Sequence, residues 1–262
     1  MSRKPQWDYG LGPLAKASEI GNVKEVSKLL EEGADPNTLD KVKRTPIYWA
    51  AQNGHIEVMK LLLEKGATVN MGDNTGYSPL WIASQHKQLP AVKLLLSSGA
   101  DVNGNGNEIP LFVAIQNDAD EVALELLNSG ADPEKKDQGN ETALYLTARH
   151  TRPVIFNALL EKGADLYTLS FYGQSVLPEA AERACLDIVQ MILARNPDKK
   201  KIQLDRAVKE VDRIMDRLQV WGPAQDRLKK IQELLHDYNA RNGNKKSRKR
   251  SRKQRKHTRK QV

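Results

Sequence analysis

The apolar positions that follow Thr45 form two successive helical stripes. Thr45 can cap the free N–H groups of a helix start, and Pro46 stands at the first helical position, where proline is tolerated. Asn53-Gly54 ends this helix, and Gly66 follows the next one as a left-handed C-cap. The apolar residues are Ile47, Trp49, Ala50 and Ala51 in the first helix and Ile56, Val58, Met59, Leu61, Leu62 and Leu63 in the second. Two such short helices cannot bury their apolar faces alone, so the pattern predicts neighbours that stack on them.

The same pattern recurs along most of the chain. Gly-Ala returns at Gly33, Gly66, Gly99, Gly130 and Gly163, and helix starts such as TPIYWA, SPLWIA, IPLFVA and TALYLT keep a step of mostly 33 residues. This period and its T-P-L-H-x-A-like core resemble the ankyrin repeat over residues 8–197. The resemblance implies an all-α solenoid of about six stacked helix-turn-helix units, with short β-hairpin fingers and degenerate terminal repeats.

The repeats depart from the family pattern at its usual histidine. That position holds Tyr48, Trp81, Phe112, Tyr145 and Pro178. The family's histidine forms hydrogen bonds within the repeat, so we expect these repeats to depend more on packing. The following positions, Trp49, Ile82, Val113 and Leu146, form an apolar stripe that we interpret as core rather than as a ligand groove.

The pattern divides the chain into four segments. Residues 1–10 form a loose N-terminal segment, 11–197 the ankyrin-repeat solenoid, 198–240 a C-terminal helical hairpin and 241–262 a disordered basic tail. The hairpin is predicted as helices at 199–221 and 224–240, separated by Gly222-Pro223. We interpret it as a cap on the last repeat, with a coiled-coil dimer as the alternative, and we expect a monomer.

Charge is concentrated at the C-terminal end. The net charge is +8, but residues 241–262 hold 12 Lys or Arg and no acid, which leaves 29 basic and 33 acidic residues in the other 240. The sequence has no apolar run long enough for a transmembrane helix, and its N-terminus lacks a signal peptide's apolar stretch. The single cysteine, Cys185, is expected to be buried and favours a reducing compartment.

The sequence contains no recognisable catalytic constellation. Its five histidines form no metal-binding pair, one cysteine cannot make a zinc site with cysteine spacing, and no phosphate loop or nucleophile elbow occurs. We therefore predict no catalytic residues, no metal, no cofactor and no enzymatic activity. Binding is the remaining class of function.

The resemblance implies a partner protein on the concave surface, which is formed by the fingers and the ends of the first helices. The predicted finger row is Lys41, Val42, Arg44, Asn74, Thr75, Tyr77, Asn105, Glu108, Gln138, Glu141, Phe171 and Tyr172. The predicted helix-end row is Gln52, Asn53, Gln85, His86, Gln116, Asn117, Arg149 and His150. Exposed aromatic residues would be its anchors. Alternatively, Phe171 and Tyr172 pack on the C-terminal helices.

The positive charge of the basic tail supports three hypotheses about its role. It is a nuclear or nucleolar address, a non-specific nucleic-acid tether or, third in rank, a membrane-surface anchor; a solubilising tail is the remaining alternative. The residues concerned are Lys245, Lys246, Arg248, Lys249, Arg250, Arg252, Lys253, Arg255, Lys256, Arg259 and Lys260.

Together these features predict a non-enzymatic scaffold or adaptor. The repeats would bind a protein partner, and the tail would provide nuclear or nucleolar targeting or contact nucleic acid. One alternative is a nucleic-acid-associated factor whose tail is the main activity, and another is a host-directed effector of a virus or intracellular microbe. We expect an intracellular protein, nuclear or nucleolar in a eukaryotic cell and otherwise cytoplasmic.

Overall fold

The computed structural model describes residues 10–104, 108–217 and 222–258, with backbone alone for Arg217 and 242–258. The chain divides into an N-terminal unit, Met1–Gln138, and a C-terminal unit, Gly139–Val262. The helices of the N-terminal unit are α1 (Pro13–Glu19), α2 (Val23–Glu31), α3 (Pro46–Asn53), α4 (Ile56–Glu64), α5 (Pro79–Gln85), α6 (Leu89–Ser97), α7 (Pro110–Gln116) and α8 (Asp120–Asn128). The segment 1–9, with Trp7 and Tyr9, lies outside the described residues.

The helix starts follow the predicted capping chemistry. The hydroxyl oxygen of Thr45 accepts the Tyr48 N–H at 3.4 Å, and Ser78 accepts the Trp81 N–H at 3.1 Å. Each hydroxyl satisfies an N–H group that the first helical turn leaves without an intrahelical partner. Gly66 has a φ of 87°, the left-handed conformation expected beyond a helix end.

Stacking in the N-terminal unit joins like helices of successive repeats. The first helices α1, α3, α5 and α7 pack in sequence order, and so do the second helices α2, α4, α6 and α8. Ile47, Leu80 and Leu111 are almost fully buried at equivalent positions of the first helices. Each repeat therefore covers the apolar face of the repeat before it, as the short amphipathic helices require.

The loops after the second helices carry a repeated side-chain bridge. The Asn37 side chain donates to the Gly66 carbonyl at 3.0 Å and accepts the Thr68 N–H at 2.7 Å. Asn70 makes the equivalent pair of contacts with Gly99 and Asp101 of the next repeat, at 3.2 and 2.9 Å. These asparagines connect neighbouring repeats, a role that the sequence pattern did not reveal.

The predicted fingers are short turns closed by backbone hydrogen bonds. The backbone N–H of Asp40 donates to the Arg44 carbonyl at 3.0 Å, and the backbone N–H of Asp73 donates to the Tyr77 carbonyl at 3.1 Å. The two fingers are joined where the Asn74 N–H donates to the Val42 carbonyl at 2.9 Å. In the described parts of the chain the fingers do not extend into regular strands.

The C-terminal unit continues the repeat with four helices and then changes the helix length. Its helices are α9 (Ala143–Arg149), α10 (Pro153–Glu161), α11 (Val176–Glu182), α12 (Leu186–Ala194), α13 (Leu204–Arg217) and α14 (Pro223–Thr258). Cys185 is buried before α12, as predicted, and burial raises the pKa of its thiol. Pro178 lies within α11 without interrupting it, since proline is tolerated in the first turn.

Helices α13 and α14 stack as another repeat would. Helix α13 packs on α11, the first helix of the preceding repeat, and α14 packs on α12, the second helix. The apolar face of α14 buries Leu228, Ile231 and Leu235. The hairpin therefore covers the end of the last repeat, in the manner of the cap that the sequence predicts.

Two helix boundaries differ from the prediction. Helix α13 begins at Leu204 rather than at 199, because residues 198–203 form the loop that enters it. Helix α14 continues through Thr258, whereas the sequence predicted a helix that ends near 240 and a disordered tail. Lys and Arg are good helix formers, so a helix anchored by its packed first half can propagate into the basic stretch.

Candidate partner-binding surface

The finger before α3 uses its arginine internally. Nε of Arg44 lies 2.9 Å from Oδ2 of Asp40, and the guanidinium lies 4.0 Å from the centroid of the Trp49 ring. The Arg44 side chain is 12% exposed and that of Asp40 is fully buried. Arg44, which the sequence placed in the partner-binding row, therefore stabilises the finger from within, and Lys41 of the same finger is exposed.

The next finger exposes its tip and shields its base. Tyr77 stacks on Trp81 with ring centroids 3.7 Å apart and an interplanar angle of 14°. Asn74 and Thr75 at the tip are exposed, and the Thr75 hydroxyl donates to Asp73 at 2.6 Å. Tyr77 is consequently half-buried, with one ring face occupied, while Asn74 and Thr75 remain accessible.

Glu108, predicted as a finger contact, is 6% exposed. Its Oε2 is buried and has no hydrogen-bond partner among the described residues. A Cβ at position 76 would lie 2.7 Å from its Oε1, so Gly76 makes room for the carboxyl. Burial and the nearby charge of Asp73 raise the pKa of Glu108 to about 7. The burial removes Glu108 from the accessible finger row. The predicted contact Asn105 lies outside the described residues.

The ends of the first helices carry both exposed and half-buried side chains, and some of them form hydrogen bonds to their own helix. Asn53 is exposed but donates to the Trp49 carbonyl at 3.0 Å, and Asn117 is half-buried and donates to the Val113 carbonyl at 2.9 Å. Partial burial lowers the pKa of the largely exposed His86. In this row of the N-terminal unit Asn53, His86 and Gln116 are exposed, and Gln52, Gln85 and Asn117 are half-buried. Val42, in the finger row, is half-buried as well.

In the C-terminal unit a part-buried ionic network contains two predicted contact residues, Glu141 and Arg149, whose side chains are 10% and 34% exposed. Arg149 donates from both terminal nitrogens to Glu141, at 2.7 and 2.5 Å, and its Nε lies 3.7 Å from Glu179. Glu179 is 4% exposed and also accepts the Tyr145 hydroxyl at 2.8 Å. Burial and this hydrogen bond raise the pKa of Tyr145 to about 12. The carboxylate of Glu141 is therefore directed into the network rather than toward a partner.

Two aromatic rings project from the finger between α10 and α11. Phe171 is 71% exposed and Tyr172 is 77% exposed, and their rings meet edge to face with centroids 5.3 Å apart. The alternative that they pack on the C-terminal helices is therefore wrong. Of the remaining predicted contacts, His150 of this unit is half-buried, and burial lowers its pKa. Gln138, the last residue of the N-terminal unit, is exposed.

The apolar stripe is core, as predicted. Trp49, Ile82, Val113 and Leu146 are each at most 5% exposed. Within the described ranges no group of three or more His, Cys, Asp or Glu side chains is arranged to hold a metal ion, and no helix there is long and apolar enough to cross a membrane. In the basic tail the backbone is described through Thr258, while Arg259 and Lys260 lie beyond the described residues.

Comparison with known families decides what this stack is. A family model described as ankyrin repeats, in three copies, matches residues 14–106 and again 110–203. The chain belongs to the ankyrin-repeat family. The second match ends at 203, inside the loop that leads into α13, so the family pattern includes the entry to the C-terminal cap.

The ankyrin-repeat fold is also found by structural comparison. The crystal structure of the human ASB11 ankyrin repeat domain superposes with a TM-score of 0.69 at 21% sequence identity, covering 84% of this chain and 98% of that chain. At this identity the likeness shows the fold. A comparison with curated proteins returned no match. An ankyrin-repeat stack is a protein-interaction module.

Proposed function

We propose that this ankyrin-repeat protein is a non-enzymatic adaptor that binds a protein partner across the finger tips and first-helix ends of its N-terminal unit. The observation that carries the proposal is that some side chains of these rows pack inside the repeats while others stay exposed. Arg44 and Glu108 are drawn into the stack, whereas Lys41, Asn74 and Thr75 at the tips stay exposed. Exposed polar groups repeated from one rigid repeat to the next offer a preorganised surface for hydrogen bonds.

The basic tail gives the adaptor a second activity. A stretch with 12 Lys or Arg and no acid attracts polyanions, and a nuclear or nucleolar address has the same composition. We propose that the tail places the bound partner in the nucleus or nucleolus, or on nucleic acid. Contacts of this kind release counterions, so they weaken steeply as salt increases.

The test compares two surfaces of the same full-length chain by affinity capture and quantitative mass spectrometry, with nuclease present. The first variant changes the accessible row, and the matched control changes four exposed residues of the second helices: K41A/N74A/H86A/Q116A against K24A/K60A/K93A/E121A. We expect discrete proteins to be lost with the first variant and retained with the control. Equal retention by both variants would place the partner surface elsewhere.

The nucleic-acid factor is the second candidate function, and the charge of the tail favours it. Ending the chain at residue 240 removes the basic stretch but keeps Leu228, Ile231 and Leu235, which pack α14 on the stack. If the shortened chain still captures nuclease-resistant proteins, the adaptor function holds. If all capture is lost and nuclease alone releases what the full chain binds, the tail is the active part.

A further inference from the structure

An exposed aromatic surface lies at the C-terminal end of the repeats. The loop and finger that connect α10 and α11 place Phe171 and Tyr172 in solvent, with Leu169 beside them at 42% exposure. Large apolar side chains exposed next to each other are uncommon on monomeric proteins and mark binding surfaces. The backbone of this finger is held by hydrogen bonds. The Phe171 N–H donates to the Gly139 carbonyl at 3.1 Å, and the Ser170 N–H donates to the Gln174 carbonyl at 2.9 Å.

A lysine-rich loop, residues 198–203, is joined to this finger at both ends. At one end the Tyr167 hydroxyl accepts the Asp198 N–H at 3.3 Å, and Nζ of Lys201 lies 5.0 Å from the Tyr167 ring centroid. At the other end the Gln203 side chain donates to the Gly173 carbonyl at 2.6 Å. The lysine loop is therefore fixed at two points to the segment that connects α10 and α11 and carries the two exposed rings.

Positive charge continues from this loop into the tail. Lys200 and Lys201 are exposed, whereas the acidic residue of the loop, Asp198, accepts both of their backbone N–H groups at 2.9 and 3.1 Å. Lys199 donates to the carbonyl and side-chain oxygens of Asn239 in α14, at 2.6 and 2.8 Å. The basic stretch begins two residues later, at Arg241.

We propose that this surface binds single-stranded nucleic acid, with bases stacked on Phe171 and Tyr172 and phosphates held by Lys200 and Lys201. Unpaired bases stack on exposed aromatic rings, and flanking lysines track the backbone without reading sequence. A duplex hides its base faces, so it gains from the lysines and the tail but not from the rings. The charge favours this ligand over a neutral protein segment, and the basic stretch after Asn239 supplies long-range attraction.

The experiment measures fluorescence anisotropy of the full-length chain with a labelled mixed-sequence RNA of 12 nucleotides, its DNA counterpart and the corresponding RNA duplex. We expect F171A/Y172A to weaken single-strand binding at least tenfold and duplex binding less than twofold. The matched control is V154A, because Val154 is 58% exposed on α10 of the same unit, and it should bind as the wild type does. K200Q/K201Q should lower affinity and reduce the salt dependence for all three probes.

Three results would overturn the proposal. The first is single-strand binding by F171A/Y172A within twofold of the wild type, which would assign all binding to the tail. The second is failure of the wild-type chain to bind any single strand at low salt. The third is binding of a polyglutamate peptide that competes with RNA and depends equally on the two rings, which would make the ligand an acidic protein segment. RNA and DNA arms that differ in affinity identify which single strand is preferred.

Discussion

Replacing Glu108 with Gln should remove a pH dependence that the stack carries near neutrality. The carboxyl is 6% exposed, lies against Gly76 and faces the negative charge of Asp73, and its Oε2 finds no donor among the described residues. A charged carboxylate is disfavoured in such a position, so the folded chain retains the Glu108 proton up to a pKa of about 7. Glutamine has nearly the same shape and no proton to lose.

The sign and size follow from proton linkage. The folded state binds the proton more tightly than the unfolded state, whose carboxyl has the ordinary pKa of 4.5. The stabilisation is complete below that value and is lost as the pH rises through about 7. At about 1.4 kcal/mol per pH unit the full difference is about 3 kcal/mol. Because Glu108 lies at the finger edge rather than in the core, we expect a measured loss of about 1–3 kcal/mol.

The assay is denaturant unfolding followed by circular dichroism at pH values from 4 to 8. Other groups titrate in this range, so the informative quantity is the difference between wild type and E108Q, which should grow in favour of the variant as the pH rises. E121Q, at an exposed carboxyl on α8, is the control and should follow the wild type. Parallel stability curves for wild type and E108Q across this range would refute the assignment of a raised pKa to Glu108.

Four further substitutions test the packing. Leu62→Ala, at a fully buried position, should lower the free energy of unfolding by about 2–5 kcal/mol, and a loss under about 1 kcal/mol in a denaturant titration would contradict the stacking. Asn74→Ala at a finger tip should change it by less than about 0.5 kcal/mol. Tyr145→Phe withdraws a hydrogen bond from buried Glu179 and should cost about 1–3 kcal/mol, whereas Tyr172→Phe in solvent should have no measurable effect.

The repeat was predictable from sequence because its signals are local. A Thr or Ser cap followed by Pro, a Gly-Ala after each second helix and an apolar stripe all act within one or two turns of chain. The structure bears these out at Thr45, Ser78 and Gly66. The aspartates that follow Gly-Ala act locally as turn residues, since Asp35 and Asp101 each accept an N–H two residues on.

The roles of the finger bases were not predictable because they depend on what a neighbouring element supplies. Arg44, Tyr77, Glu108 and Glu141 occupy one position of the repeat and were all assigned to the partner surface. In the structure Arg44 forms an ion pair with Asp40, and Tyr77 stacks on Trp81. Glu141 forms an ion pair with Arg149, eight residues further along the chain. Glu108 has no such partner among the described residues and is buried nonetheless. The position of a residue in the repeat predicts its backbone conformation but not whether its side chain contacts a neighbouring element or remains accessible to a partner.

The C-terminal cap shows how the repeat ends without a separate domain. Asn196-Pro197-Asp198 follows α12 where four of the earlier repeats have Gly-Ala-Asp. Asn196 has a φ of 48°, and Asp198 has the same turn role as the earlier aspartates. The loop thus has the form that it has in the earlier repeats, and α13 packs on α11 as a further first helix would. What changes is the length of the helices, so that α14 carries the chain from buried Leu235 directly into the basic stretch. The cap that closes the core is therefore also the element that joins the lysine loop to the start of the tail, through the hydrogen bonds of Lys199 to Asn239.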